Sequence, residues 1–330
     1  MISNIALIGG AGFVGTRTAN RLKKANIEFS VYDINQVNDI HNPIYLDVES
    51  KDFSNIINKN TKTIVNLAAV HRDDVMPLTR YYDVNVNGAK NICNVARKNN
   101  INKIIFTSSV AVYGFAPPNT DESGKINYFN EYGKTKYLAE NIYKDWFNED
   151  PDNRTLIIIR PTVIFGEGNR GNVYNLLNQI NIKKFAMFGD GKNKKSMAYV
   201  ENVAAFIEFC NSIDKGQHVY NYIDKDDFNM KSLVSLVRKE LFNKNNQGFT
   251  MPAFLGMAIG YIADFISILI KKPLPVSSIR VKKFMSTTTF SSSVKNTSFK
   301  PPVKIENGLI KTIRYEFMED NSSNITFDTE

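Results

Sequence analysis

Short apolar runs alternate along the first half of the chain with longer stretches of helical periodicity. The runs include IALI near the start, IEFSVYD, TKTIVNLAA, INKIIFTSS and RTLIIIRP. Between them, segments such as LTRYYDVNVNGAKNICNVARK repeat apolar residues at the spacing of an amphipathic helix. Apolar strands separated by helices predict an α/β fold, a Rossmann-type doubly wound parallel sheet that binds ligands at the carboxyl ends of its strands. We expect this domain over residues 1–165, with returning segments from the second half, and a smaller substrate-binding region over 166–330.

The first strand runs directly into the glycines of GGAGFVG. Gly9 would allow a tight turn, Gly12 the close approach of backbone N–H groups to a pyrophosphate, and Gly15 the packing of the following helix. The second strand ends in Asp33, whose carboxylate would accept hydrogen bonds from a ribose diol and repel a 2′-phosphate. No arginine follows Asp33, so the sequence predicts NAD rather than NADP.

Tyr132 and Lys136 lie one helical turn apart in EYGKTKYLAE and would share one helix face. A phenol with a pKa near 10 is a poor base at neutral pH, but a neighbouring ammonium and a positive nicotinamide ring favour the phenolate. Ser109, at a strand end, could bridge a substrate hydroxyl and Tyr132. An isolated tyrosine–lysine pair of this spacing usually lies on a solvated helix face. Here the glycine turn and the serine precede the pair in the sequence, and this combination indicates acid–base catalysis.

The motifs GGAGFVG, NLAA, SSVAVYG, YGKTK and RPTVIFG together resemble the extended short-chain dehydrogenase/reductase family, in its branch of nucleotide-sugar epimerases. The resemblance implies that Tyr132 is the acid/base, that Lys136 lowers its pKa and holds the nicotinamide ribose, and that Ser109 bridges protons. The dehydratases of the family need an acid and a base where this chain has Val110 and Ala111, so epimerisation or reduction is expected instead. The cofactor contacts implied are Gly9, Gly12, Phe13, Val14, Gly15, Asp33, Asp47, Val48, Leu67, Ala68, Ala69, Asn85, Thr107, Tyr132, Lys136 and Pro161.

The second half departs from nucleotide-sugar epimerases where they usually carry an Arg-Asp pair. Here Lys195 keeps a cation for a phosphate without the bidentate fork of arginine, although a lysine-rich surface loop is the alternative. Asn172 matches a family contact to the sugar diphosphate, with a helix cap as its alternative. Arg280 is a second candidate for the diphosphate. Arg72 follows the strand that ends at Ala69 and is expected to contact substrate, unless it is a solvated surface residue.

Residues 254–270, FLGMAIGYIADFISILI, are apolar over most of a helical circumference, with small and polar residues on one stripe. At ~1.5 Å per residue the helix would reach roughly 25 Å, short of the ~20 residues that normally span a bilayer. Such a helix is either buried in protein or dipped in lipid, and the pattern leaves both open. Two lysines follow at once, as suits an anionic leaflet.

Longer segments are similar to the bacterial N-acetylglucosaminyl-diphospho-undecaprenol 4-epimerases, among them RPTVIFGEGNRGNVYNLLNQI, KSMAYVENV and PVSSIRVKKF. This similarity runs almost end to end. It implies a polyprenyl-diphosphate-linked N-acetylhexosamine as substrate, O-antigen or related polysaccharide synthesis, and a peripheral position on the cytoplasmic side of the bacterial inner membrane. The alternatives are a soluble UDP-sugar 4-epimerase, a 4-reductase, and a non-catalytic NAD-binding regulator of a membrane glycosyltransferase.

Composition changes this picture little. The chain has 330 residues, of which 43% are hydrophobic and 22% charged, as in an ordinary globular protein. Two cysteines without metal spacing predict reduced thiols and no metal site. A net charge of +8 permits an anionic partner, but the scattered lysines argue against nucleic acid. The sequence leaves the oligomeric state open, a homodimer included.

Overall fold

Strands and helices alternate through the chain as the apolar and amphipathic segments predict. The computed structural model describes residues 4–36, 41–72, 75–270, 272, 277–321 and 324–328. The strands are β1 (Asn4–Ile8), β2 (Phe29–Asp33), β3 (Ile44–Tyr45), β4 (Thr61–Asn66), β5 (Lys103–Thr107), β6 (Thr155–Pro161), β7 (Val163–Phe165), β8 (Met187–Phe188), β9 (Lys194–Tyr199), β10 (Gly216–Tyr222), β11 (Asp224–Asn229) and β12 (Thr250–Met251). The helices are α1 (Phe13–Lys24), α2 (Thr79–Tyr81), α3 (Gly88–Lys98), α4 (Glu131–Asn148), α5 (Asn172–Asn181), α6 (Val200–Cys210), α7 (Met230–Phe242), α8 (Ala253–Ile270), α9 (Ser278–Met285) and α10 (Ile305–Phe317).

The main sheet has seven parallel strands in the order β10-β6-β5-β4-β1-β2-β3. Its central strands β1 and β6 are buried along their whole length because helices cover both faces of the sheet. One face packs on Tyr143 and Trp146 of α4, and the other packs on Phe206 of α6. The predicted doubly wound α/β fold is confirmed.

The second half of the chain returns to this sheet. After β6 the chain forms β7, α5, β8, β9 and α6, and β10 then pairs in parallel with β6 at the sheet edge. Helix α6 packs against α1, which follows the glycine turn. A separate three-stranded sheet, in the order β11-β9-β7, lies with α5, α7 and α10 around a third apolar core. The chain therefore crosses between its two regions several times.

Helix α8 touches the rest of the protein along one narrow stripe. A Cβ added to Gly256 would lie 2.6 Å from the Phe188 ring, and one added to Gly260 would lie 2.7 Å from the Ser278 backbone. The Asp264 carboxylate accepts a hydrogen bond from the Ser278 N–H at 3.2 Å. Only 11% of this helix, whose mean hydropathy is 2.0, is buried. The stripe of small and polar residues faces the protein. Among the described residues, α8 is therefore not a helix buried in the core.

Candidate active site

A cleft of about 610 Å³ opens where the parallel strands of the main sheet end. The glycine turn after β1, Asp33 at the end of β2, and Ala68 just after β4 line one part of it. Ser109 and Tyr132 line another part. Parallel strands bring their carboxyl ends to one edge, so residues distant in sequence meet there.

The glycine turn holds its shape because two of its glycines have no room for a side chain. Gly9 has a φ of +75°, and a Cβ there would lie 2.5 Å from the Ala68 nitrogen. A Cβ on Gly15 would lie 2.5 Å from the Gly10 Cα. At Gly12, by contrast, a Cβ would meet only the Gly9 carbonyl oxygen, at 3.4 Å. Because Gly12 lines the cleft, its bare backbone leaves a cradle that any side chain would fill.

Helix α1 begins directly after this cradle. Its N-cap is Gly12, which supplies no side-chain hydrogen bond, and its first turn contains no acidic residue. The first N–H groups of a helix lack partners within the helix and carry the positive end of its dipole. The α1 N-terminus is therefore suited to bind a pyrophosphate.

Two polar groups in the cleft wall suit the ribose and nicotinamide parts of a dinucleotide. The Asp33 carboxylate is oriented by the N–H groups of Ala11 and Asn35, at 3.0 and 2.9 Å, and its remaining lone pairs can accept a ribose diol. The buried Thr107 hydroxyl has no hydrogen-bond partner among the described residues. A buried polar atom without a partner is costly, so a bound group that pairs with it would stabilise the site. These residues fit NAD.

Tyr132 and Lys136 are positioned by the first turns of α4. The Asn130 side chain caps this helix by accepting from the Gly133 N–H at 2.9 Å, which fixes where the helix starts. Tyr132 and Lys136 both line the cleft, and Lys136 is almost fully buried with its ammonium 4.4 Å from the centre of the Phe106 ring. Burial lowers the pKa of Lys136 to about 7, against the opposing effect of the Glu140 carboxylate.

Ser109 is held in place by a buried network beneath the site. The neighbouring Ser108 hydroxyl donates to Glu140 of α4 at 2.6 Å. Arg160 of β6 forms a bidentate ion pair with the same carboxylate, at 2.8 and 2.6 Å. All three of these side chains are buried. Because Glu140 lies one turn beyond Lys136, the network ties the serine strand end to the helix that carries the tyrosine and lysine.

Most predicted site residues line this one cleft. The three predicted catalytic residues, Ser109, Tyr132 and Lys136, are among them, as is Asn172 at the start of α5. Their chemical roles stay predictions. The predicted cofactor contacts in the wall are Gly9, Gly12, Phe13, Val14, Gly15, Asp33, Asp47, Val48, Leu67, Ala68, Ala69, Thr107 and Pro161.

Asn85 lies behind the wall rather than in it. It belongs to a segment of wide π-type turns, Tyr82–Asn87, and is buried. Its amide accepts from the Val70 N–H at 2.9 Å and donates to the Val70 carbonyl and to Thr135, each at 3.0 Å. Val70 lines the cleft. Asn85 thus positions Val70 in the wall, and its direct contact with the cofactor stays a prediction.

Lys195 is bonded within the protein, to the end of α9 and the segment after it. Its ammonium donates to the carbonyl oxygens of Lys283 and Ser286 and to the Thr288 hydroxyl, at 2.8, 2.7 and 2.8 Å. An ammonium has three N–H donors, so these bonds use all of them. Burial also lowers its pKa to about 8. These bonds attach Lys195 to the end of α9, and its contact with a phosphate stays a prediction.

The two predicted arginines lie outside the cleft wall. Arg280 is exposed in the first turn of α9, and Arg72 is exposed beside His71, which does line the wall. Neither is brought to the cofactor cleft itself, and their contacts with substrate stay predictions.

Sequence reasoning missed Ile34, Thr288 and Phe290, which also line the cleft. Ile34 directly follows Asp33, so the register of β2 could have revealed it. Thr288 and Phe290 have no local signal. The pairing of β9 with the segment after α9 brings them to the site.

Known proteins match the chain over most of its length. The model of the NAD dependent epimerase/dehydratase family matches residues 5–222. The chain is 45% identical to the N-acetyl-alpha-D-glucosaminyl-diphospho-ditrans,octacis-undecaprenol 4-epimerase of Escherichia coli O157:H7, over 343 residues and 100% of both chains.

Solved structures match the fold. The UDP-glucose 4-epimerase of Thermotoga maritima, solved with UDP-glucose, superposes with a TM-score of 0.73 at 18% identity, covering 94% of this chain and 98% of that one. The UDP-N-acetylglucosamine 4-epimerase of Methanobrevibacter ruminantium, solved with UDP-N-acetylmuramic acid, gives 0.72 at 21%, covering 95% and 97%.

Proposed function

We propose, from the premise that the chain belongs to the NAD-dependent epimerase/dehydratase family, that it is a lipid-linked sugar 4-epimerase. It inverts C4 of N-acetylglucosamine attached through a diphosphate to undecaprenol and produces the N-acetylgalactosamine epimer, for bacterial O-antigen or related surface polysaccharide. One observation carries this proposal: the 45% identity to the E. coli enzyme extends over 100% of both chains, and so includes the substrate half as well as the cleft.

The chain supplies the proton chemistry of this reaction. NAD, when bound, supplies the reversible two-electron oxidation of C4. Tyr132 takes the proton of the C4 hydroxyl as the 4-keto sugar forms and returns it after the sugar has turned over in the site. Ser109 bridges the hydroxyl and the phenol. When the Lys136 side chain is protonated, its positive charge favours the phenolate of Tyr132.

The wall of the cleft also favours epimerisation or reduction over dehydration. Val110 and Ala111 follow Ser109 and line the cleft, and neither side chain can move a proton. Elimination of water needs an extra acid and base, which these positions do not provide. Because the cofactor is regenerated in each turnover, the enzyme needs no external reductant, unlike a 4-reductase.

We further propose that α8 rests in the leaflet that holds the undecaprenyl chain, on the cytoplasmic side of the inner membrane. Its bulky apolar residues lie in solvent: Phe254, Tyr261, Ile262, Phe265, Ile268 and Leu269 are each 60% to 74% exposed. A contiguous exposed apolar surface of this kind is typical of a membrane or protein interface. The opposite stripe is attached to Phe188 and α9, so the helix suits a position in the interface rather than across the bilayer.

The test compares two substrates with the purified enzyme. N-acetylglucosaminyl-diphospho-undecaprenol in detergent should be epimerised without added NADH, and UDP-N-acetylglucosamine should be turned over far less efficiently. Tyr132→Phe serves as the inactive control for contaminating activity. Turnover of the UDP-sugar with the higher kcat/KM would overturn the proposal in favour of a nucleotide-sugar epimerase, and dependence on NADH would favour a reductase.

A further inference from the structure

Two exposed aromatic rings and a lysine meet beside the cleft. Phe115 and Phe129 are 63% and 46% exposed, and their ring centres lie 4.9 Å apart. The Lys283 ammonium lies 4.4 Å from the centre of the Phe129 ring and 5.8 Å from that of Phe115. We refer to Phe115, Phe129 and Lys283 as the mouth cluster.

The local backbone places this cluster at the edge of the site. Gly114 lines the cleft and has a φ of +61°, and a Cβ there would lie 2.0 Å from the Asn127 carbonyl oxygen. The Asn127 N–H also bonds the Val112 carbonyl at 3.0 Å, so the segments that carry the two rings run side by side. Phe129 precedes the helix whose first turn contains Tyr132. Phe115 therefore directly follows a residue of the cleft wall, and Phe129 lies three residues before Tyr132.

Helix α9 joins the mouth cluster to the exposed apolar helix. Lys283 belongs to α9, and its carbonyl is one of the three acceptors bound by Lys195. At its other end, α9 is attached to α8 through Ser278 and Asp264. The order in space is thus catalytic cleft, aromatic rings with a cation, and then the apolar helix.

We propose that the mouth cluster binds the diphosphate and the first isoprene units of the substrate, an inference that rests on the proposed function. The order of groups matches that of a lipid-linked sugar, in which sugar, diphosphate and polyprenyl chain follow one another. The Lys283 ammonium suits the anionic diphosphate, and the two exposed rings give apolar isoprene units a surface to cover. The continuity of the cluster with both the cleft and α8 argues for this occupant.

The experiment separates the two parts of the substrate. The full chain is assayed with N-acetylglucosaminyl-diphospho-undecaprenol in detergent and with the methyl ester of N-acetylglucosaminyl diphosphate, which has no isoprene. The double variant Phe115→Ala/Phe129→Ala should raise KM for the lipid-linked substrate by roughly tenfold or more and leave KM for the methyl ester unchanged. Lys283→Ala should raise KM for both substrates by roughly tenfold, because both contain the diphosphate. NAD content should match wild type in all variants.

Two matched controls keep the result specific. Phe249→Ala removes an equally exposed ring, and Lys311→Ala removes one positive charge from α10, which contributes no residue to the described cleft wall. Both should leave KM unchanged. If the alanine variants have a lowered melting temperature or lose NAD, Phe129→Gln and Lys283→Gln replace them. These variants lose less packing and should change KM in the same way.

The proposal is overturned if the ring variant changes KM equally for both substrates or for neither, or if Lys283→Ala leaves KM unchanged for both. A wild-type enzyme that does not turn over the lipid-linked substrate would instead refute the proposed function. The two failures are therefore distinguishable.

Discussion

The leaflet position of α8 predicts that lysines on its outer face release the protein from membranes without unfolding it. We choose Ile262, Phe265 and Leu269, which are 60%, 63% and 65% exposed. Substitution of an exposed residue that makes no special contact usually changes the free energy of unfolding by within about ±0.5 kcal/mol. The triple lysine variant should therefore fold and retain NAD.

The effect on membrane binding should be much larger. Full burial of such a side chain is favourable by about 1.5–3 kcal/mol. With some 60% of each surface available to lipid, the three residues together contribute roughly 3–6 kcal/mol to binding. Each lysine adds a further cost that grows with depth, up to ~3 kcal/mol at the bilayer centre. The loss of at least ~3 kcal/mol lowers the partition coefficient roughly 10²-fold or more.

A flotation assay on anionic vesicles measures membrane binding, and a thermal melt run beside it measures stability. The three added positive charges should by themselves strengthen the attraction to anionic lipid, so release of the variant would identify the apolar contact as the cause. Ala263→Lys is the matched control, because Ala263 is 9% exposed and faces the protein. That control should lower the melting temperature.

Flotation of the triple variant with the vesicles as efficiently as wild type would refute the reasoning. So would a wild-type protein that never binds them. A dimeric wild type that becomes monomeric in the variant would assign the same face to a second copy of the chain.

Four further outcomes follow from the site. Tyr132→Phe should retain NAD but lower kcat by at least ~10²–10⁴, and activity within a few-fold of wild type would contradict its role as the acid/base. Asp33→Ala should lower the NAD content of the purified protein, measured after denaturation; unchanged content would remove Asp33 as the ribose ligand. Lys195→Ala should lower the unfolding free energy by roughly 1–3 kcal/mol, because it leaves three acceptors at the end of α9 unpaired; a phosphate ligand would instead raise KM with an unchanged melt. Lys136→Met should increase stability more at pH 6 than at pH 9, measured by thermal melts at each pH. The pKa of Lys136 is about 7 in the folded protein against an ordinary 10.5, so the unfolded chain binds the extra proton between those values and wild-type stability rises with pH across that window. An equal effect at both pH values would contradict a buried lysine that titrates near neutrality.

The parts of the fold that the sequence predicted are those set by local backbone requirements. Gly9 needs a positive φ, Gly15 must touch the preceding turn, and Asp33 ends a strand beside them. Each of these requirements involves a few neighbouring residues, and the alternation of strands with helices then predicts a doubly wound parallel sheet. Residues that line the cleft at strand ends could be named for the same reason.

The parts that could not be predicted depend on long-range neighbours. The hydropathy of α8 is equally that of a core helix, and only the contacts of Gly256 with Phe188 and of Gly260 with Ser278 reveal which side faces the protein. Asn85 and Val70 lie 15 residues apart in the sequence and are brought together only by the fold, so a direct cofactor contact and a supporting role cannot be distinguished from the sequence. The three acceptors of Lys195 all lie more than eighty residues further along the chain.

The bonds of Lys195 also offer a physical reason for the departure from nucleotide-sugar epimerases. The expected Arg-Asp pair is replaced by Lys195 and Ser196, and both side chains are used within the protein: Lys195 on the end of α9, and Ser196 as an acceptor from the Phe290 N–H at 3.0 Å. Both bonds secure the segment from α9 to Phe290, which carries Lys283 at one end and lines the cleft at the other. Lys195 thus holds α9 in place, and Lys283 of that helix lies over the two rings. Under the proposed function, the same two residues hold in place the segment whose lysine binds the diphosphate.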